Sequence, residues 1–306
     1  MSAMISGMLT NINSFVIYLA LTLVGLCLGS FAGASVWRLR ARQLLNDNAN
    51  GDIDKTEKKE LKRLNKLVKK SVFNDRSQCL NCQYQLRWFD MLPLISWLSL
   101  KGRCRKCRKP IGYLEPLIEL GVMLFFVLSY LLWPYQLVDS LSVIRLVTWL
   151  IVGVALAIAV AYDAKWFLIP DKISFFVIGL GIVNALLVVL SSNDKLSAVL
   201  NLAGAIFILS GIYCIVYFIS KGKWIGFGDV KLGLGLALLL TDWNLAFIAL
   251  FSANLIGCFI TIPSMMLGKL KRDSRIPFGP LLILGYLIAG LAGKYILGAY
   301  FSLLFV

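Results

Sequence analysis

The sequence predicts an all-α polytopic membrane protein of about eight transmembrane helices, with one large basic insertion between the first two. Three observations lead there. The 306 residues are 59% hydrophobic, with a mean hydropathy of +0.79. Apolar runs near the ~20 residues needed to cross hydrocarbon recur along the chain, at 14–37, 113–133, 142–162, 173–191, 197–220, 229–241, 243–267 and 277–305. The positive charge is concentrated in one segment. Backbone polar groups must be satisfied within each segment inside a bilayer, so the runs are expected as helices.

The first run lacks a basic leading region and reads as a retained span rather than a cleaved signal. After it, residues 38–112 hold 19 Lys and Arg against 7 acids, which is +12 of the chain's net +15. Lys and Arg accumulate in cytoplasmic loops, so this distribution points to a cytoplasmic insertion rather than to nucleic acid. Segments 221–223 and 268–276 are basic too, whereas 134–141, 192–196 and 241–243 are short and nearly neutral. The resulting topology places both termini outside and the basic loops inside. The expected division is a first helix (1–37), a cytoplasmic cysteine-rich domain (38–112) and a transmembrane domain (113–306). Within the insertion, Asn46 to Asp52 is turn-rich and reads as a flexible link. From Lys55 to Lys70, Leu61, Leu64, Leu67 and Val68 recur at helical spacing. This is either a solvated amphipathic helix or one lying on anionic headgroups.

Four of the seven cysteines are patterned: Cys79 and Cys82, then, after 21 residues, Cys104 and Cys107. Two close pairs of thiolates suit a tetrahedral zinc site, so a zinc-ribbon-like module is expected. A disulfide framework fits a reducing cytoplasm poorly. Arg103, Arg105, Lys106, Arg108 and Lys109 would offset the thiolate charge. Cys27, Cys214 and Cys258 read as small buried hydrophobes. The stretch Trp88–Leu100 is too short to span, and either dips into the membrane interface or forms the module's core.

Two acids stand where hydrocarbon makes them costly, which marks a functional hypothesis. Asp163 ends the third run, and Asp229 opens the sixth in Gly226-Phe227-Gly228-Asp229-Val230-Lys231. Two spans separate them, so both return to one membrane face. With no His in the chain, metalloprotease H-E-x-x-H sites and His-dependent nucleophiles are excluded. Two carboxylates held together can share one proton, one acting as acid and the other as base toward water. Gly226 and Gly228 leave room for a substrate backbone. The same pair would serve a proton-coupled transporter, and Asp229 could simply cap a helix; Asp171, before Ile173, reads as the better cap.

These residues and motifs resemble the type IV prepilin peptidases, bifunctional leader peptidase/N-methyltransferases of the GxGD membrane aspartic protease type. Gly29-Ser30-Phe31 with Trp37-Arg38-Leu39, the cysteine module through Pro116-Leu117-Ile118-Glu119-Leu120, Asp163 to Ile169-Pro170-Asp171, the Asp229 motif, and Ile276-Pro277-Phe278-Gly279-Pro280 carry the likeness over nearly the whole chain. The resemblance implies Asp163 and Asp229 as the catalytic pair. Gly226, Gly228 and Lys231 would lie against substrate, and Glu119 would be associated with methyl transfer. It implies prepilin or pseudopilin substrates cleaved after glycine at the cytoplasmic face of the inner membrane. S-adenosylmethionine would be the methyl donor, zinc the structural ion, and membrane lipids the surroundings, with no nucleic acid. The chain departs from the family at Gly33, where Asn is usual, at Arg40, where Pro is usual, and in a longer stretch from about Arg42 to Arg76. The readings kept beside it are a peptidase without methyl transfer and a non-proteolytic transporter or scaffold.

Overall fold

In a computed structural model the protein is described over residues 2–64, 67, 77–137, 140–269 and 276–304, with side chains from Ser14 to Leu303. It is a multi-pass membrane protein, helical nearly throughout, and it divides into two compact units, Met1–Leu128 and Ser129–Val306. Seven helices among the described residues are long and apolar enough to cross a membrane.

The first unit is built on α1 (Ser2–Asn50), α2 (Lys55–Leu64), α3 (Ile95–Ser99) and the start of α4 (Leu114–Leu131). α1 and α4 pack closely because α1 presents glycines: a Cβ at Gly25 would lie 2.8 Å from Met123 Cα, and one at Gly29 would lie 2.6 Å from Glu119 Cα. The expected link at Asn46–Asp52 is instead helical through Asn50. Its preceding turns are good helix formers, and Ala41 and Leu44 are fully buried there against α2. The turn comes one step later, at Gly51, whose φ of +85° is the left-handed conformation that ends helices.

α2 starts at a reciprocal cap, with Glu57 N–H donating to Asp54 Oδ1 at 2.7 Å and Asp54 N–H to Glu57 Oε2 at 3.4 Å. The Thr56 hydroxyl and the Glu57 N–H hold the Asp54 carboxyl below its ordinary pKa. Its leucines answer the choice between water and lipid. Leu61, Leu64 and Leu67 pack on Trp37, Ala41 and Leu44, so the apolar stripe is used by the protein's own helix. Lys66 and Val68 to Lys70 lie outside the described residues, as do Leu270 to Arg275 of the second basic loop.

Arg40, the departure from the family's usual Pro, is 3% exposed and joins both helices. Its Nη2 lies 3.0 Å from Glu57 Oε1 and 3.0 Å from Glu60 Oε2. The residue and the extended segment thus explain one another: the extension supplies the acids that the buried guanidinium needs. Removing one partner of a buried pair leaves an uncompensated charge. R40Q is therefore expected to detach α2, at a cost of about 2–3 kcal/mol given that the glutamates keep some solvent. Limited proteolysis within Gly51–Leu64 measures this, and unchanged protection would refute the clamp.

The second unit holds α5 (Ser140–Trp166), α6 (Asp171–Ser191), α7 (Lys195–Ser220), α8 (Phe227–Leu240), α9 (Trp243–Met266) and α10 (Gly279–Leu304). The run expected as the sixth span is α8, a helix of 14 residues. At 1.5 Å per residue it reaches only ~21 Å, short of ~30 Å of hydrocarbon. It tolerates that length because protein surrounds it: Leu232, Leu236 and Ala237 are fully buried. α6 approaches it at Gly181 and Gly235. Against α7 the contact is tighter still, since a Cβ on Gly233 would collide with the carbonyl of Leu209. α7 widens there into one π turn, Phe207–Gly211, and Ser210 Oγ donates to the Val230 carbonyl at 3.1 Å. Such a turn admits a neighbour where a regular helix would not.

Cys27 and Cys258, expected as buried, are exposed on outer helix faces, and Cys214 is half-buried. On a membrane helix an apolar outward face meets lipid, which a thiol tolerates as well as a core does.

Candidate functional sites

The carboxylate site lies in the second unit, where one end of four helices converges. Asp163 sits in the last turn of α5 and is 5% exposed. Its Oδ2 accepts the N–H of Gly279 at 3.0 Å. That N–H is one of the unpaired donors at the start of α10, so a helix end fixes the carboxylate. Asp229 lies in the first turn of α8, capped by Gly226 in extended conformation. It is half-buried and interacts electrostatically with Asp163. The structure therefore brings together the two acids that span counting placed on one face.

Three glycines open this site. A Cβ at Gly226 would lie 3.7 Å from Asp229 Oδ2, and one at Gly228 would lie 3.3 Å from Ile169 Cβ. Gly279 is more tightly bound: its Cβ would stand 2.7 Å from Asp163 Oδ2 and 3.1 Å from Ile169 Cδ1. Gly279 as a donor to Asp163 was not legible in the sequence, because only the fold makes residues 116 positions apart neighbours.

Lys231 pairs with an acid of a neighbouring helix. Its Nζ lies 2.7 Å from Asp171 Oδ1, over the rings of Phe175 and Phe227 at 5.4 and 5.3 Å. Asp171 was expected to cap α6. Pro170 takes the cap position, without a side-chain cap bond, and Asp171 stands in the first turn where it holds Lys231. The pair ties α6 to α8 beside the two acids.

The cysteine module lies in the first unit and consists of two matching knuckles. Cys79 N–H donates to Tyr84 O and Cys104 N–H to Lys109 O, both at 2.9 Å. In each knuckle a residue in left-handed conformation, Gln83 (φ 59°) or Arg108 (φ 58°), closes the turn. All four Sγ atoms lie within 4.8 Å of one another, with Cys79–Cys107 and Cys82–Cys104 both at 3.9 Å. Tetrahedral zinc with Zn–S near 2.3 Å sets sulfurs about 3.8 Å apart, so the four fit such an ion. Burial pushes the Cys79 thiol up to about 12. Burial also raises Cys104, but the N–H groups of Cys107 and Lys106 and the thiols of Cys79 and Cys107 outweigh it, and Cys104 falls to about 7. Cys104 is thus set to ionise more readily than an ordinary thiol.

The flanking cations are not all free to offset thiolate charge. Arg105 Nε lies 2.7 Å from the buried Asp90 Oδ1, with its guanidinium 4.9 Å from the Phe89 ring centroid. The segment between the knuckles divides. Asp90, Phe89 and Trp97 turn inward, while Trp88, Ile95 and Leu98 are 73, 63 and 66% exposed. It is therefore neither wholly core nor wholly surface.

Glu119, on α4, is 8% exposed. It accepts the N–H of Leu94 at 2.8 Å and the hydroxyl of Ser30. Leu94 has φ 57°, so Glu119 anchors a turn in a conformation that few apolar residues adopt. One turn earlier, Glu115 Oε1 accepts Trp37 Nε1–H at 2.7 Å. Its Oε2 is buried with no partner among the described residues. Glu115 was not singled out from the sequence, where it reads as an ordinary acid in a first helical turn.

Comparison with known proteins agrees with both halves of this description. Residues 23–133 match the bacterial peptidase A24 N-terminal domain, and residues 150–262 match the type IV leader peptidase family. A prepilin leader peptidase/N-methyltransferase of Pseudomonas aeruginosa is 28% identical over 286 residues, covering 91% of each chain. Another from Legionella pneumophila is 28% identical, covering 97% of this chain and 98% of that protein. No solved structure matches. A type 4 prepilin-like proteins leader peptide-processing enzyme of Escherichia coli O78:H11 is 32% identical, covering 86% of this chain and 90% of that protein. At that identity and coverage, with both domain models matched in order, the chain belongs to the type IV leader peptidase family.

Proposed function

We propose that the protein cleaves the leader peptide of type IV prepilin-like proteins at the cytoplasmic membrane face and then N-methylates the new N-terminus. The observation that carries the first step is the meeting of Asp163 and Asp229 beside Gly279 at one end of the second unit. The domains would be the first helix (1–37), the cysteine-rich cytoplasmic domain (38–112) and the peptidase bundle (113–306), with both termini outside. The basic segment 38–112 supports that orientation.

In the cleavage step the two carboxyl groups share one proton. The ionised one takes a proton from water as its oxygen attacks the scissile carbonyl carbon, and the protonated one gives its proton to the carbonyl oxygen. The resulting diol collapses as one of its hydroxyls returns a proton to the second carboxylate, the C–N bond breaks, and the amine leaves with a proton from the first carboxyl group, which restores the shared-proton pair. Gly226 and Gly228 leave space for the substrate backbone beside Asp229, and Lys231, held by Asp171, orients the start of α8. G279A is expected to lower cleavage about a hundredfold with little change in Tm, because its methyl group displaces the Asp163 carboxylate and an angstrom-scale misplacement has that effect. Cleavage equal to wild type would refute the positioning role.

The second step falls to the first unit. S-adenosylmethionine, when bound, supplies the methyl group. The orphan Glu115 Oε2 suits an ammonium or amine N–H, which makes Glu115 the residue to hold the amine. Glu119 positions the Leu94 turn beside it, and zinc at Cys79, Cys82, Cys104 and Cys107 fixes the knuckles. E115Q is expected to lower methylation at least tenfold while leaving cleavage within about twofold. Mass spectrometry of the mature pilin N-terminus reads both at once, and full methylation by E115Q would refute the assignment.

A further inference from the structure

The second unit contains a cavity at the end of its helices remote from the two acids. It has a volume of about 210 Å³, several times the ~30 Å³ that one water occupies. It is lined by the first turns of α5, the last turns of α6 and α8, the cap of α9 and the middle of α10. Arg145 stands 18 residues before Asp163 on α5, which is ~27 Å along the helix axis. That separation approaches the ~30 Å thickness of bilayer hydrocarbon, so the cavity lies near the level of the opposite headgroups.

Its charge is unbalanced. Arg145 and Lys294 both line it, and Asp242 is the acid among its lining residues. Asp242 is already engaged, its Oδ1 accepting Asn244 N–H at 2.7 Å and Leu245 N–H at 3.4 Å as the cap of α9. Neither cation forms an ion pair among the described residues. Instead both attend one ring: Lys294 Nζ is 3.7 Å and Arg145 Cζ 5.9 Å from the centroid of Tyr135. Lys294 is ten residues short of Leu304, where α10 ends, so a side chain reaching for water past a helix end does not account for it. A further donor lines the cavity: Trp133 Nε1 is buried and has no partner among the described residues.

We propose that this cavity binds a phosphate-bearing anion, supplied by the headgroup of an anionic phospholipid. Arg145 and Lys294 would carry the charge, Trp133 Nε1–H would donate to a phosphate oxygen, and the tyrosine ring would hold both cations in place. Two cations face a single acid that attracts Lys294 while its Oδ1 caps α9, and the positive charge left over, at headgroup depth and around a space larger than a single ion needs, matches a phosphodiester in size and sign. The site is separate from the peptidase pair, and its occupancy would brace the ends of α5, α6, α9 and α10.

The test uses the purified full-length protein in neutral detergent with three probes: dihexanoyl phosphatidylglycerol, dihexanoyl phosphatidylcholine and inorganic phosphate. The expected result is a Tm rise of about 3–5 °C with the phosphatidylglycerol at roughly ten times its Kd. The rise is expected to be absent with phosphatidylcholine and with R145Q/K294Q. The charge-preserving R145K/K294R should keep most of it. An equal rise with inorganic phosphate would support the phosphate site while assigning it a soluble source. If R145Q/K294Q does not fold, K294Q alone carries the comparison, with about half the shift, since Lys294 is exposed. Equal shifts with phosphatidylglycerol and phosphatidylcholine, no shift with any probe, or a full shift in the Gln variants would overturn the proposal.

Discussion

Replacing Asp163 or Asp229 with Asn is expected to reduce prepilin cleavage by about 10³-fold or more, because each variant removes one half of a proton exchange that the other half cannot replace. Asn is nearly isosteric with Asp, so the loss is chemical rather than structural. In D163N the amide oxygen can still accept the Gly279 N–H, which now spans 3.0 Å to Asp163. In D229N the helix start at Gly226 keeps its backbone bond, Asp229 N–H to Gly226 O at 3.1 Å. Both variants should therefore retain a normal Tm in detergent. The double variant should be no worse than either single one, since groups that act as a unit are not additive. D194N serves as the control: Asp194 is an exposed acid whose role is to cap α7 through Ser197 N–H at 3.1 Å, and its loss should leave cleavage within twofold. Processing of a prepilin in membranes, followed by the mobility shift of the mature protein, is the measurement. Cleavage near wild type in both D163N and D229N would remove the aspartic mechanism and return the pair to proton coupling.

The two acids were legible in the sequence for a reason particular to membranes. Hydrocarbon penalises a carboxylate so strongly that Asp163 and Asp229 stand out against their apolar runs, and counting spans gives their common face without any tertiary information. The knuckles were legible because two-residue spacing is a local constraint. What was not legible depended on contacts distant in sequence. Gly279 reads as a helix start, and only the packing of α10 against α5 makes its N–H a partner for Asp163. The short α8 reads as a weak span, whereas Gly233 against the Leu209 carbonyl makes it a buried helix inside the unit. Arg40 reads as a departure from a family pattern, and its two glutamates 17 and 20 residues later make it a clamp. Asn48 and Asn50 carried a turn signal that lost to the burial of Ala41 and Leu44, an instance of tertiary packing overriding local propensity.

Replacing Cys79 and Cys104 together with Ser is expected to abolish metal binding and to unfold the module around residues 77–112. One metal ion per chain should fall to near none. The argument rests on the symmetry of the knuckles. Each pair contributes sulfurs from a turn closed by a single left-handed residue, and the two turns meet at the sulfur quartet, with Cys79–Cys107 and Cys82–Cys104 at 3.9 Å, and at Lys106 Nζ, 5.9 Å from the centroid of the Tyr84 ring. The module has little else to hold it. Its regular elements are α3 of five residues and one turn at Trp88–Met91, and several of its large apolar side chains are exposed. A structural zinc ion in so small a module contributes on the order of 10 kcal/mol, more than the Asp90–Arg105 pair can replace. Ser at one position of each knuckle removes two of four ligands and leaves the turns unconnected. Metal analysis reads the first effect and proteolysis between Gln78 and Lys109 the second. Because Asp163 and Asp229 belong to a unit that begins at Ser129, cleavage should survive within about tenfold while methylation is lost, a larger split than misfolding of the whole chain would produce. A metal content unchanged by the two substitutions would show that the quartet is not the ion's site, and equal loss of both activities would show that the module and the peptidase unit do not fold independently.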